Sequence, residues 1–301
     1  MTTKFEILVK RTINFFHASS PSAACMSPLW TGISSVYHKP LIQALLARDV
    51  NKSEHELSHF AVTGGSHGAE RGSELYFSPD NTIDREKLSN SSLNIPDLES
   101  GQIGMAGVWQ VANDGSTTQF SFPAWIVLRA RSILGRMPEN VLEIGPGLGF
   151  NGVIFDRWGT KSYSLIDIPS MASAAGFFLG RCCGENRMWF YGENPDTSKF
   201  GYIYPSTDCR GVLAKRYDIV LNVNSFPEIP NFAQDEYLEI ISRCLAPNGL
   251  FLSINHENPI CNQRSVALAM QCQSNLKRLS RKPSEILAGY FDEVYALNNF
   301  V

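Results

Sequence analysis

Three glycines and two carboxylates are the residues of this chain best placed to do chemistry. In Val141-Leu-Glu-Ile-Gly-Pro-Gly-Leu-Gly-Phe150, an apolar run of strand length carries Glu143 and ends in a turn of Gly145, Pro146, Gly147 and Gly149. Residues without a Cβ let the backbone bend tightly and come close to a ligand. The next apolar run ends in Ser-Leu-Ile-Asp-Ile-Pro and places Asp167 twenty residues past Gly147. A carboxylate there can accept two hydrogen bonds from a ribose diol. Strand, glycine turn, helix and a second strand ending in an acid is the layout of a Rossmann-like site for a ribose-bearing cofactor.

Two cofactors compete for that layout. Gly147-Leu-Gly-Phe-Asn-Gly152 also fits G-x-G-x-x-G, the dinucleotide fingerprint. Three features favour S-adenosylmethionine over NAD. Glu143 precedes the first glycine by two residues, which suits a cationic ammonium and opposes a pyrophosphate. The motif begins about 140 residues into the chain, whereas in dinucleotide domains it usually opens the domain. Downstream, Tyr217-Asp-Ile-Val-Leu-Asn222 reads as a buried strand, followed by the polar loop Asn222-Val-Asn-Ser-Phe-Pro-Glu228. Ile240–Gly249 reads as a helix end stopped by Pro-Asn-Gly, leading into a strand at Leu250–Asn255.

Taken together, Glu-x-Gly-x-Gly, the acid after the second strand, the YDIVLN strand and the Pro-Asn-Gly turn resemble the class I S-adenosylmethionine-dependent methyltransferases over residues 125–300. Within them, Ile166-Asp-Ile-Pro169 and Asn222-Val-Asn-Ser-Phe-Pro-Glu-Ile-Pro230 resemble the sugar O-methyltransferases. The resemblance implies an α/β, Rossmann-like fold with a seven-stranded, mainly parallel sheet and S-adenosylmethionine as cofactor. It also implies a small-molecule acceptor, a hydroxyl of a sugar or glycosylated metabolite. Glu143, Gly145, Gly147 and Gly149 are expected to cradle the methionine part and Asp167 to hold the ribose. Pro146, Ile168, Asn222 and Asn224 complete the expected cofactor-binding set. A methyltransferase for a phenol or polyketide-type hydroxyl, an NAD oxidoreductase and a non-catalytic binding protein are the competing readings.

Behind these residues stands a regular alternation from Ser121 onward. Helices are expected at 122–134, 149–158, 170–182, 234–245 and 264–280. Strands are expected at 140–144, 162–166, 188–191, 218–222, 250–255 and within 291–300, with a long polar loop at 192–212. Strands alternating with helices imply a parallel sheet covered on both faces, with ligands at the strands' C-terminal ends. Asp167, Asn222 and His256 all fall there. Residues 1–120 differ. Phe5–Phe16, Leu41–Ala47 and Ser53–Phe60 have helical periodicity, and residues 61–120 are rich in Gly, Ser, Asn and Asp. The division is therefore 1–120, a helical and loop-rich part covering the acceptor side or forming a homodimer contact, and 121–301, the cofactor domain.

A hydroxyl that attacks a methyl group gains from a base. His256 is the first candidate, because its ordinary pKa near 6.5 suits the task. Glu228 is the second, from the loop after the fourth strand. Glu257 either orients His256 or faces water. Asn222 and Asn224 serve a ligand or the turn itself. For the adenine, Asp208, Ser206 and Glu193 all remain open.

His55-Glu-Leu-Ser-His59 matches the zinc signature H-E-x-x-H, but its flanks are polar and no third ligand is apparent. It reads as a solvated helix, and no metal is expected. His67, between Gly65 and Gly68, is either a substrate-loop residue or an ordinary loop histidine. The net charge of −3 gives no electrostatic footprint for nucleic acid, and no apolar run is long enough to span a bilayer. Seven cysteines without metal spacing read as reduced thiols, so a cytoplasmic location is expected.

Overall fold

The first strand, β1 (Asn140–Ile144), lies at the centre of a mostly parallel sheet, and four of its five residues are buried. Val141 enters the core layer that holds Phe155 and Tyr163, while Leu142 and Ile144 enter the opposite layer with Val220 and Phe251. The structure is a computed structural model, and it describes residues 5–19, 26–63, 118–257, 264–271, 275–287 and 289–299.

Four helices come first: α1 (Glu6–Ala18), α2 (Pro28–Val36), α3 (Lys39–Leu46) and α4 (Val50–Thr63). Helix α5 (Thr118–Leu134) leads into β1. Then follow α6 (Phe150–Arg157), β2 (Ser162–Asp167), α7 (Pro169–Cys183), β3 (Met188–Phe190), β4 (Gly201–Pro205) and β5 (Tyr217–Val223). The chain continues through α8 (Asn231–Cys244), β6 (Leu245–His256), α9 (Val266–Met270), β7 (Leu276–Pro283) and β8 (Tyr290–Leu297). The sheet order is β3-β4-β2-β1-β5-β6-β8-β7. Strands β3 to β6 run parallel to their neighbours across β1, and β8 pairs antiparallel with both β6 and β7. This is a Rossmann-like α/β fold. The chain reverses its winding at β1, between β2 and β5, and such a switch point is where an open parallel sheet leaves a crevice for ligands.

The sheet has eight described strands, one more than the seven expected. Six of them fall where strands are expected; the other two are β4, inside what reads in sequence as the polar loop 192–212, and β7, which overlaps the helix expected at 264–280. The Gly-Tyr-Ile-Tyr-Pro of β4 is short, yet all five residues are buried between β2 and β3. A second correction concerns the helix expected at 264–280. Among the described residues there, Val266–Met270 is helical, and Leu276–Pro283 is a strand. Charge decides this segment. On a strand, Arg278 and Arg281 both reach Glu293 of β8 at 3.3 Å, and Arg281 pairs with Glu257 at 3.1 Å. Cross-strand ion pairs of this kind, and basic residues along an edge, suit a sheet margin. A third correction is at α5, which begins before Phe122, so that Pro123 sits inside the helix and not in its first turn.

The N-terminal helices share the core of the sheet. Leu8, Val9, Phe15 and Phe16 of α1 belong to the same buried layer as Trp125, Val153 and Leu179. Arg11 fastens α1 to the edge of the sheet, donating to Glu193 at 2.6 Å and to the carbonyls of Glu185 and Met188. No described helix is long and apolar enough to cross a membrane.

Candidate active site

The glycine turn joins β1 to α6 at the switch point. Gly145, Gly147 and Gly149 all have positive φ, at 69°, 58° and 82°. Two of them do different work. A Cβ on Gly145 would lie 2.2 Å from Ser225 Oγ, so this glycine lets the turn close against the loop after β5. A Cβ on Gly147 would meet no atom of the described residues within 4 Å. Gly149 caps α6 and packs on Leu179, while the carbonyl of Pro146 accepts from its N–H.

Three carboxylates surround this turn. Glu143 is fully buried on the α6 side of β1. Its Oε1 accepts from Asn151 Nδ2 at 2.7 Å and its Oε2 from the Tyr163 hydroxyl at 2.6 Å. Both oxygens therefore have protein donors, and Glu143 lies beneath the turn. Asp167, at the end of β2, accepts from the N–H groups of Ile168 and Gly147. Ile168 caps α7, and Pro169 opens it with the fixed φ that suits a first helical position. Glu228 ends a single 3₁₀ turn, Phe226–Glu228, after β5, and its Oε2 accepts from Trp30 Nε1 at 3.0 Å. Asp167 and Glu228 each keep a little surface, but protein encloses most of each. Burial pushes all three carboxyls up to about 7, and the charges of Glu228 and Glu143 add to the rise at Asp167. None of the three has a Lys, Arg or His ion-pair partner among the described residues.

Beyond β5 the rim changes character. Asn222 is buried and saturated. Its Nδ2 donates to Ile144 O and Ser225 Oγ, and its Oδ1 accepts from Phe226 N and Asn255 Nδ2. Asn255 also accepts from Ser225 N and donates to Ser253 Oγ. These amides brace β1, β5 and β6 against each other. Asn222, expected to touch the cofactor, is fully occupied within the protein. Asn224 has a φ of 53° and accepts from the Tyr290 hydroxyl through Oδ1. His256 ends β6 with its ring edge-on to Tyr290, at 5.5 Å between centroids, one strand further from β1 than Glu228. Glu257 is taken up by Arg281.

On the opposite flank, β4 and not β3 lies next to β2, so the residues after Pro205 take the place expected of the adenine contact. Ser206 N donates to Asp167 O, and Ser206 Oγ is buried without a partner among the described residues. Asp208 accepts from the Tyr191 hydroxyl. Glu193 is held by Arg11, away from this rim.

Sequence reasoning misses Trp30 and His38. His38 is fully buried, with Nδ1 at 3.0 Å from Ser170 Oγ and 3.3 Å from Ser34 Oγ, and burial lowers its pKa to about 4. The one available signal is Ser27-Pro28, a helix cap followed by proline, which marks the start of α2 and nothing of its chemistry. His55 and His59 are exposed on α4 with rings 4.4 Å apart, and no group of three or more potential metal ligands occurs among the described residues. His67 lies outside the described residues.

No family model and no curated protein matches the chain. Among solved structures it is similar to a TehB-like SAM-dependent methyltransferase from Corynebacterium glutamicum, at 12% identity and a TM-score of 0.45, over 66% of this chain and 100% of that one. It is also similar to an O-methyltransferase family protein from Burkholderia thailandensis, at 13% identity and a TM-score of 0.43, over 74% of this chain and 69% of that one. A third is a putative O-methyltransferase from Klebsiella pneumoniae, at 14% identity and a TM-score of 0.40, over 76% of this chain and 95% of that one. At such distances, function has to come from the chain's own residues.

Proposed function

We propose that this chain is an S-adenosylmethionine-dependent methyltransferase acting on a hydroxyl group. The observation that carries the reading is the set of three enclosed carboxylates around the glycine turn, with no basic partner among the described residues. A dinucleotide would bring a pyrophosphate to that turn and meet like charge. S-adenosylmethionine brings an ammonium and a sulfonium, which such carboxylates stabilise. A Cβ at Gly147 would meet no described atom, and Asp167 and Ser206 Oγ, which has no partner among the described residues, lie at the ends of the adjacent strands β2 and β4.

Asp167 would accept from the ribose hydroxyls. The open turn at Gly147 would admit the methionine part, and Glu143 would stabilise its positive charge from below. When bound, the cofactor supplies a methyl group activated by the positive sulfur. Glu228 then takes the proton of the acceptor hydroxyl at Oε1, the oxygen that Trp30 leaves free. A carboxyl near 7 is matched to that task at neutral pH. Glu228 thereby takes precedence over His256 as base, because it lies within the electrostatic reach of Asp167. As acceptor class we propose a sugar or glycosylated small molecule. An indole beside a carboxylate offers an apolar ring face next to a hydroxyl acceptor, which suits a polyhydroxylated ring. A small-molecule acceptor also agrees with N-terminal helices lying over the rim.

Calorimetric titration with S-adenosylhomocysteine, run in parallel with NAD, tests the cofactor. Saturable binding of the homocysteine compound, lost in Asp167→Ala, is the expected result. NAD binding in its place, or binding that survives the substitution, would overturn the assignment.

A further inference from the structure

Three side-chain bonds tie the N-terminal segment to the ends of three strands of the sheet, β4, β2 and β5. Past β4, Thr207 Oγ1 donates to Ser19 O at 2.5 Å. Past β2, Ser170 Oγ meets His38 Nδ1 at 3.0 Å. Past β5, Trp30 Nε1 donates to Glu228 Oε2 at 3.0 Å. The first two join groups with no part in the proposed chemistry. The third crosses 198 positions of sequence to reach the carboxylate proposed as base.

Trp30 is well fixed for this. It is the third residue of α2, whose cap Ser27 accepts from the Trp30 N–H at 3.3 Å. Its ring packs against the core and lies 6.1 Å from that of His38, which is itself held by Ser34 and Ser170. An indole N–H can donate but not accept. While it occupies Oε2, that oxygen serves as an acceptor, which favours Oε1 as the seat of a proton arriving on Glu228. Oε1 has no hydrogen-bond partner among the described residues.

We infer that Trp30 is a positioning residue of the active site, whose indole N–H fixes which oxygen of Glu228 receives the acceptor's proton. The inference rests on the reading of Glu228 as base, and it makes the N-terminal helices a structural part of the catalytic centre.

The test needs no acceptor. In protein labelled with ¹⁵N at its five tryptophans, the Trp30 indole signal should move with pH, with a midpoint near that of Glu228, and should stop moving in Glu228→Gln. In ¹³C-glutamate-labelled protein, the infrared carboxyl band that Glu228→Gln removes should titrate higher by about one pH unit in Trp30→Phe, because a donor to the ionised form is lost. Should Trp30→Phe fail to fold, the indole titration in the wild type still decides. If no indole signal titrates with Glu228, or if the Trp30→Phe band keeps its midpoint, the inference falls. Failure of S-adenosylhomocysteine to bind would instead defeat the functional reading and leave the indole result standing.

Discussion

The two halves of the rim carry similar residues and use them in opposite ways. From β4 to β1, Asp167, Glu143 and Ser206 are enclosed with bonding capacity or charge left over. From β5 to β6, Asn222, Ser225 and Asn255 direct their hydrogen bonds at one another and at the backbone. Leftover charge in a low-dielectric setting costs stability and is kept where a ligand answers it. A closed amide network stabilises the rim and shapes it. In sequence both halves look like polar residues after apolar strands, and only the partner count separates them.

The largest effect that probes this contrast is expected on the saturated side. Asn222→Ala strips partners from Ile144 O, Phe226 N, Ser225 and Asn255 at once. It should lower unfolding stability by about 2–4 kcal/mol, read by denaturant titration. Cofactor affinity well below the melting point should change little. A variant that melts like the wild type yet loses affinity would place Asn222 among the ligand contacts.

Next come the two glycines. Gly145→Ala combines a strained φ with a clash on Ser225, and should destabilise the fold strongly. Gly147→Ala carries only the strain of a positive φ, about 1–2 kcal/mol, and its methyl meets no described atom. It should lose most of its S-adenosylhomocysteine binding while keeping its fold. Equal effects on both properties in both variants would mean that the turn is structural throughout.

A further effect concerns pH and the open side. Burial raises Asp167 from 3.8 to about 7, so the folded state holds a proton that the unfolded state has already lost. Stability from this group therefore falls as pH rises from about 4 to 7 and levels off above. Asp167→Asn removes that loss, so its melting temperature relative to wild type should climb between pH 5 and pH 8. A constant difference would place the Asp167 carboxyl in a water-like setting.

Much of this geometry is legible in the chain. The apolar run Val141–Ile144, the glycines after it and Asp167 at the end of the next run are local patterns, and local patterns announce themselves. β4 does not, because five residues flanked by polar loops carry too short a period, and burial between two neighbours makes them a strand. Leu276–Pro283 misleads because its basic residues suit a helix end until the acids of β8 lie opposite. Trp30 is silent for a different reason. Its partner lies 198 residues away, and nothing local marks an indole that will meet a carboxylate. Segments 64–117 and 258–263 lie outside the described residues, among them His67.

The most direct measurement is titration calorimetry with S-adenosylmethionine at pH 6 and pH 8, in buffers of different ionisation enthalpy. With the three carboxyls near 7, binding a cation should expel protons at pH 6 and grow tighter at pH 8. Asp167→Asn should blunt both effects. Binding that tightens toward pH 6, or takes up protons, would contradict a carboxylate-lined cation site.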